Sequence, residues 1–156
     1  MDKYAIDSLL YLLIKYLHLV ALLVLFSGAI AKYVLVAQGD SNKHKLHLAR
    51  ELGGATLIAS LVMVISGVML VAWAGLSSTV YISNKFFLLK MALFVIATLA
   101  VVISKRFIAR NAIERSYGWV QVPKYIRWLM SFDVIALLLM VAMALLMAHG
   151  FGARSQ

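Results

Sequence analysis

Four long apolar segments, separated by short polar ones, dominate the chain. They run over residues 8–37, 46–74, 86–104 and 125–148, and the helix of the third is expected to continue to about residue 113. An α-helix needs about 20 apolar residues to cross a bilayer. Because backbone groups in lipid must be satisfied within the segment, such spans predict helices. The pattern therefore predicts an all-α, polytopic membrane four-helix bundle, forming a single transmembrane domain over residues 1–156.

The connections between the segments are short and contain turn-forming residues. They lie at residues 38–42, 75–78 and 117–123, and the last of these ends in the only proline of the chain. Short connections force neighbouring helices to run in opposite directions. The bundle is therefore predicted to have antiparallel, up-down topology.

The composition agrees with a lipid bilayer as the main partner of the chain. Hydrophobic residues make up 64% of the sequence and charged residues only 13%. A soluble domain has about 45–50% apolar residues and about 25% charged residues. The formal net charge of +9 could indicate nucleic acid. However, the basic residues lie between apolar runs, as expected for membrane topology, so no nucleic-acid partner is predicted.

The basic residues are unevenly distributed. Those near the first and third connections are Lys32, Lys43, Lys45, Arg50, Lys105, Arg106, Arg110, Arg115, Lys124 and Arg127. The middle connection holds Lys85, and the chain ends hold Lys3 and Arg154. Because basic loops stay in the cytoplasm, we expect the first and third connections there, with the middle connection and both termini outside.

Four ionisable residues lie within the apolar segments: Lys15, His18, Lys90 and Asp133. Such residues are costly in a bilayer and are therefore the best indicators of function. The chain has no cysteine, which excludes thiol chemistry, and it contains no P-loop, nucleophile-elbow or zinc-protease motif.

His18 is expected near the middle of the membrane, with Lys15 one turn away on the same helix face. One interpretation is a metal ligand, most plausibly for the iron of heme b, with lysines near the heme carboxylates. The other is a histidine that hydrogen-bonds to a neighbouring helix.

Lys90 and Asp133 also have two interpretations each. Lys90 either snorkels to the membrane surface or points inward beside His18 to bind an anionic ligand. Asp133 should face the bundle interior, either in a structural ion pair or as a proton-relay carboxylate, with Lys32, Arg50 and Arg127 as candidate partners. Lys90 and Asp133 are the candidate catalytic residues.

Small residues form a stripe along the second segment: Gly53, Thr56, Ser60, Met63 and Gly67. Spacings of three and four place them on one helix face. Such stripes usually allow helices to pack closely, so this face is predicted to lie against a neighbouring helix. The alternative is that the stripe leaves room for a flat macrocycle.

The layout resembles a family of bacterial four-helix inner-membrane proteins recorded as a domain of unknown function. The resembling stretches include residues 16–19, 48–50, 81–84 and 87–94, and the neighbourhood of Asp133. That family is in turn similar to the HemJ-type protoporphyrinogen IX oxidases and to copper-resistance CopD-like membrane domains. The resemblance implies an inner-membrane location with periplasmic termini, and heme b held by His18 with Lys90 near the substrate. The chain lacks the tryptophan-rich HemJ pattern.

Three functions remain open from the sequence. The first is a heme-binding redox protein that acts on a porphyrin or quinone. The second is a small proton- or ion-coupled carrier or channel subunit, in which a homo-oligomer is expected because four helices are few. The third is an accessory subunit without chemistry of its own.

Overall fold

A computed structural model describes residues 3–37, 40–73, 84–114 and 120–149. Its helices are α1 (Lys3–Val36), α2 (Lys43–Trp73), α3 (Lys85–Glu114) and α4 (Lys124–Ala148), each long and apolar enough to cross a membrane. The predicted all-α, antiparallel membrane bundle is confirmed. α3 ends at Glu114, close to the predicted continuation of this helix to about residue 113, because the charges that follow Ser104 end the apolar run without ending the helix.

Asparagine caps define the starts of α2 and α3. The Asn42 side-chain oxygen accepts a hydrogen bond from the Lys45 amide at 2.9 Å, and that of Asn84 accepts one from the Phe86 amide at 2.9 Å. The first amides of a helix have no partner within it, so an asparagine just before the first turn stabilises the start. These caps set where both helices begin.

A two-residue strand pair links two of the connections. β1 (Asp40–Ser41) pairs antiparallel with β2 (Val120–Gln121). The pairing holds the connection between α1 and α2 beside the one between α3 and α4. We call this end of the bundle, which contains Val36, Lys43, Glu114 and Lys124, the basic end. The pattern of apolar segments did not predict these strands.

Two apolar clusters fill the interior. The central cluster is rich in alanine, with Ala21, Ala29, Ala59, Ala97 and Ala136 all buried. Small side chains let membrane helices approach closely. The second cluster, around Leu46, Ile108 and Ile126, lies at the basic end. α1 packs on α2, α2 on α3 and α3 on α4, and a smaller α1–α4 contact closes the ring.

Most apolar side chains face away from this interior. Only 17–33% of each membrane-spanning window is buried, and large residues such as Leu23, Ile58 and Val68 are more than 60% exposed. Water would not tolerate so much apolar surface, whereas lipid does. The exposed faces therefore agree with a multi-pass membrane protein.

Candidate functional site

The ionisable residues inside the bundle form two polar centres. The His18 centre consists of His18 on α1, Ser66 on α2 and Lys90 on α3. The Asp133 centre consists of Lys32 on α1, Thr56 on α2 and Asp133 on α4. Lys32 follows His18 by 14 residues, which is roughly 21 Å along a helix. The structure therefore does not bring Asp133 to His18.

A hydrogen bond to Ser66 orients the imidazole of His18. Nδ1 of His18 lies 2.9 Å from Oγ of Ser66. Oγ of Ser66 donates its hydrogen to the carbonyl of Val62 at 2.7 Å. A hydroxyl has one hydrogen, so Ser66 can offer His18 only a lone pair. If Ser66 keeps its hydrogen on the carbonyl of Val62, Nδ1 is the protonated nitrogen of His18, and in the neutral ring Nε2 then carries the lone pair.

α2 approaches the imidazole closely on one side. A Cβ atom at Gly67 would lie 3.4 Å from Cε1 of His18, and His18 also interacts with the main chain of Met63. Gly67 and Met63 belong to the small-residue stripe predicted from the sequence. The prediction that this stripe packs against a neighbouring helix is confirmed here.

Lys90 is half-buried near the start of α3, within electrostatic range of His18. Half-burial near the start of α3 agrees with both interpretations of Lys90, the snorkelling one and the one that places it inward beside His18. No described carboxylate forms an ion pair with Lys90, because the carboxylate of Asp133 pairs with Lys32 elsewhere in the bundle. The His18 centre therefore combines a nitrogen lone pair with a cation whose charge is not neutralised locally.

Lys15 lies apart from this centre. It is exposed on the surface of α1, and none of the described hydrogen bonds or ion pairs joins it to His18 or Lys90. A lysine in this position can extend its ammonium group towards the membrane surface. The structure brings together His18 and Lys90 of the predicted cofactor-binding set, but not Lys15.

At the Asp133 centre, three helices meet around a buried ion pair. Nζ of Lys32 lies 3.7 Å from Oδ2 of Asp133 and donates to Oγ1 of Thr56 at 3.3 Å. Oγ1 of Thr56 in turn donates to the carbonyl of Leu52 at 3.0 Å. Only about 5% of Asp133 is exposed. The partner is the first of the three candidate cations predicted from the sequence.

Arg127, another of those candidates, has a different role. Its guanidinium group donates to the carbonyl of Ala37 at 3.4 Å, at the end of α1. The last carbonyls of a helix have no partner within it, so a cation there is favourable. Arg127 therefore links α4 to the end of α1 instead of pairing with Asp133.

The close approach of α1 and α2 positions the Asp133 centre. A Cβ atom at Gly28 would collide with Cγ2 of Thr56. Only glycine leaves room for Thr56 at this contact, and Lys32 lies one turn further along α1, where it reaches the Thr56 hydroxyl. The small residue thus brings the hydroxyl and the ammonium group together.

Ser66 is the member of these centres that the sequence analysis missed. It is 1% exposed and immediately precedes Gly67 of the small-residue stripe. Its position next to that stripe was the available signal, but only the rotation of α2 relative to α1 shows that its hydroxyl faces His18.

The described part of the chain contains no group of three histidine, aspartate or glutamate side chains that could hold a metal ion.

Four apolar helices with polar centres between them define a multi-pass membrane protein of the helical-bundle class. Residues 10–152 match the family of predicted membrane proteins designated DUF2214, and the chain belongs to this family. No curated protein and no solved structure is significantly similar to the chain.

Proposed function

We propose that the protein binds heme b at the His18 centre and acts in membrane redox chemistry. In this proposal Nε2 of His18 would hold the heme iron, and Lys90 would pair with a carboxylate of the group. The observation that carries it is the 2.9 Å contact between Nδ1 of His18 and Oγ of Ser66. That contact directs the protonated nitrogen towards Ser66 and leaves Nε2 as the donor atom.

The chemistry of His18 and Ser66 fits an axial ligand. Histidines that bind metals almost always donate their other N–H to a neighbouring oxygen, which sets the tautomer and the ring orientation. Heme supplies one-electron redox chemistry, and its macrocycle supplies four nitrogen ligands. A single histidine from the protein can therefore suffice to hold the iron. This agrees with the described residues, which contain no cluster of three metal ligands.

The charge of Lys90 fits the carboxylates of a porphyrin. A half-buried ammonium group without a described counter-ion is an unfavourable arrangement in lipid. A carboxylate-bearing ligand would neutralise it, and a quinone could accept a hydrogen bond from it. His18 is only partly buried, so the group would lie at the exposed edge of its ring. Lys15 has no part in this arrangement.

The sequence resemblance and the distribution of charge support the same proposal. The resemblance to HemJ-type and CopD-like membrane proteins that was drawn from the sequence would imply a heme or porphyrin site on the first helix. The basic end would face the cytoplasm of a bacterial inner membrane, because basic connections stay on that side. The His18 centre would then lie in the outer half of the bilayer, with both termini in the periplasm.

The absorption spectrum of the detergent-purified protein tests this function. We expect a Soret band after heme supplementation, and we expect it to be lost or shifted in His18→Ala. His149→Ala is the matched control, because Nδ1 of His149 contacts the carbonyl of Leu145 at the end of α4. A colourless preparation, or a Soret band unchanged by His18→Ala, would contradict the proposal.

The same preparation separates the two other functions left open by the sequence. Proton or ion flux in liposomes that depends on Asp133 would favour a carrier or channel subunit. Stable co-purification with a larger complex, with no pigment, would favour an accessory subunit.

A further inference from the structure

A small cavity lies beside Asp133 at the centre of the bundle. Its volume is about 10 Å³, and its polar lining residues are Ser60, Thr98 and Asp133. Ser60 and Thr98 lie near the midpoints of the membrane-spanning parts of α2 and α3. The cavity therefore lies close to the bilayer midplane, between the Asp133 centre and the His18 centre. Its volume is about that needed for one water molecule.

The hydroxyl groups beside this cavity have already donated their hydrogens. Oγ of Ser60 donates to the carbonyl of Thr56 at 2.8 Å, and Oγ1 of Thr98 donates to the carbonyl of Phe94 at 2.8 Å. Each can therefore offer only lone pairs. The polar groups around the cavity are acceptors, which suit a molecule that donates hydrogen bonds.

The carboxylate of Asp133 also retains unused acceptor capacity. An ionised carboxylate offers about four lone-pair sites. Its described partner, Nζ of Lys32, is 3.7 Å away, which is longer than a hydrogen bond. Buried polar groups are normally satisfied by protein or by ordered water. A water molecule in the cavity would satisfy the carboxylate and one hydroxyl oxygen at once.

We propose that this cavity binds a single water molecule that links Asp133 to Ser60 and Thr98 and makes Asp133 a proton-exchanging group at the midplane. A proton from the aqueous phase at the basic end binds a carboxylate oxygen of Asp133. The same proton returns towards the basic end as the Asp133 O–H bond breaks, and the cavity water, which donates to the carboxylate and to a hydroxyl oxygen, stabilises the carboxylate that remains. This inference is independent of heme binding at His18.

The charged surroundings of Asp133 allow this exchange. Lys32 from α1 is the cation in contact with it, and α2 contributes only the hydroxyls of Thr56 and Ser60. On α3, Lys105 lies nearer the basic end, with Nζ beside Gly54. Protonation of Asp133 leaves the Lys32 ammonium group without a carboxylate, so the ionised form of Asp133 is favoured and the proton is released again.

Infrared difference spectroscopy of the protein in lipid nanodiscs, in H₂O and D₂O, tests this site. We expect a carboxylic-acid band of Asp133 that exchanges with solvent, and a band of an ordered water molecule. Thr98→Val and Ser60→Ala should each abolish the water band and slow the exchange of the carboxyl proton. Asp133→Asn should remove the carboxyl band.

Ser104→Ala is the matched control, because Ser104 is buried like Ser60 and likewise donates to the carbonyl four residues earlier, that of Ala100, but does not line the cavity. It should leave both bands unchanged. Equal water bands and equal exchange rates in Thr98→Val, Ser60→Ala and Ser104→Ala would overturn the proposal. This readout does not require Asp133→Asn to fold.

Discussion

The two polar centres of the bundle differ in how they balance charge. At the Asp133 centre, the cation of Lys32 faces a carboxylate and a hydroxyl supplied by two other helices. At the His18 centre, the cation of Lys90 faces an imidazole, and no described carboxylate balances it. The first arrangement pairs opposite charges and holds helices together. The second leaves a charge and a lone pair available to a ligand.

This difference predicts that substitutions at the Asp133 centre mainly change the stability of the bundle, whereas substitutions at the His18 centre mainly change ligand binding. Removing one partner from a balanced buried pair leaves an unpaired charge and should affect folding first. Removing an unbalanced charge takes an unfavourable buried cation out of the bundle, so it should affect ligand binding before it affects folding. The following variants test that contrast, in order of decreasing expected effect on stability.

Asp133→Asn should produce the largest loss of stability, about 3–5 kcal/mol, because it leaves the Lys32 ammonium group buried without a carboxylate. The free energy of unfolding can be measured by denaturing-detergent titration followed by circular dichroism. Adding Lys32→Met should recover most of the loss, since both charges are then absent. A double variant no more stable than Asp133→Asn alone would show that the pair is not the source of the effect.

Gly28→Ala should lower the free energy of unfolding by about 1–3 kcal/mol, because the added Cβ overpacks the α1–α2 contact at Cγ2 of Thr56. Thr56→Ser removes this methyl group and keeps the hydroxyl, so it should reduce the effect of Gly28→Ala in the same titration. Gly54→Ala is the control, because its Cβ would meet Nζ of Lys105 at an ordinary 3.7 Å. Equal losses for Gly28→Ala with and without the Thr56→Ser substitution would argue against the close contact.

Ser66→Ala should have a smaller effect on stability, about 0.6 kcal/mol, which is the average for a hydrogen bond between membrane helices. The sharper readout is the ¹⁵N spectrum of His18. The serine oxygen fixes the proton on Nδ1, so its loss should allow the other tautomer to appear. Ser104→Ala should leave the spectrum unchanged. A His18 already protonated on Nε2 in the unaltered protein would contradict the assigned tautomer.

Lys90→Met should change the free energy of unfolding by no more than about 0.5 kcal/mol, since no described ion pair is broken. It should, however, weaken binding of a porphyrin dicarboxylate while leaving binding of its dimethyl ester unchanged, as measured by absorbance titration. Lys85→Met, at the exposed start of α3, is the control. Equal losses of binding affinity for the dicarboxylate and for its dimethyl ester would show that Lys90 does not recognise the carboxylates.

The sequence determined the class of the protein and the inventory of its polar residues. The number of spans, their antiparallel order and the inward placement of Asp133 follow from apolar length and from the cost of charge in lipid. These properties are local, because a helix satisfies its own backbone and its periodicity sets which residues share a face. The sequence also indicated the small-residue face of α2 without reference to any partner.

Only the tertiary structure decided which side chains meet across helices. It selected Lys32 as the partner of Asp133, placed Ser66 against His18, left Lys15 on the surface and joined two connections through a short strand pair. The physical reason is that the rotation and depth of one helix relative to another depend on close packing at positions such as Gly28 and Thr56. The periodicity of a single helix contains no information about that rotation.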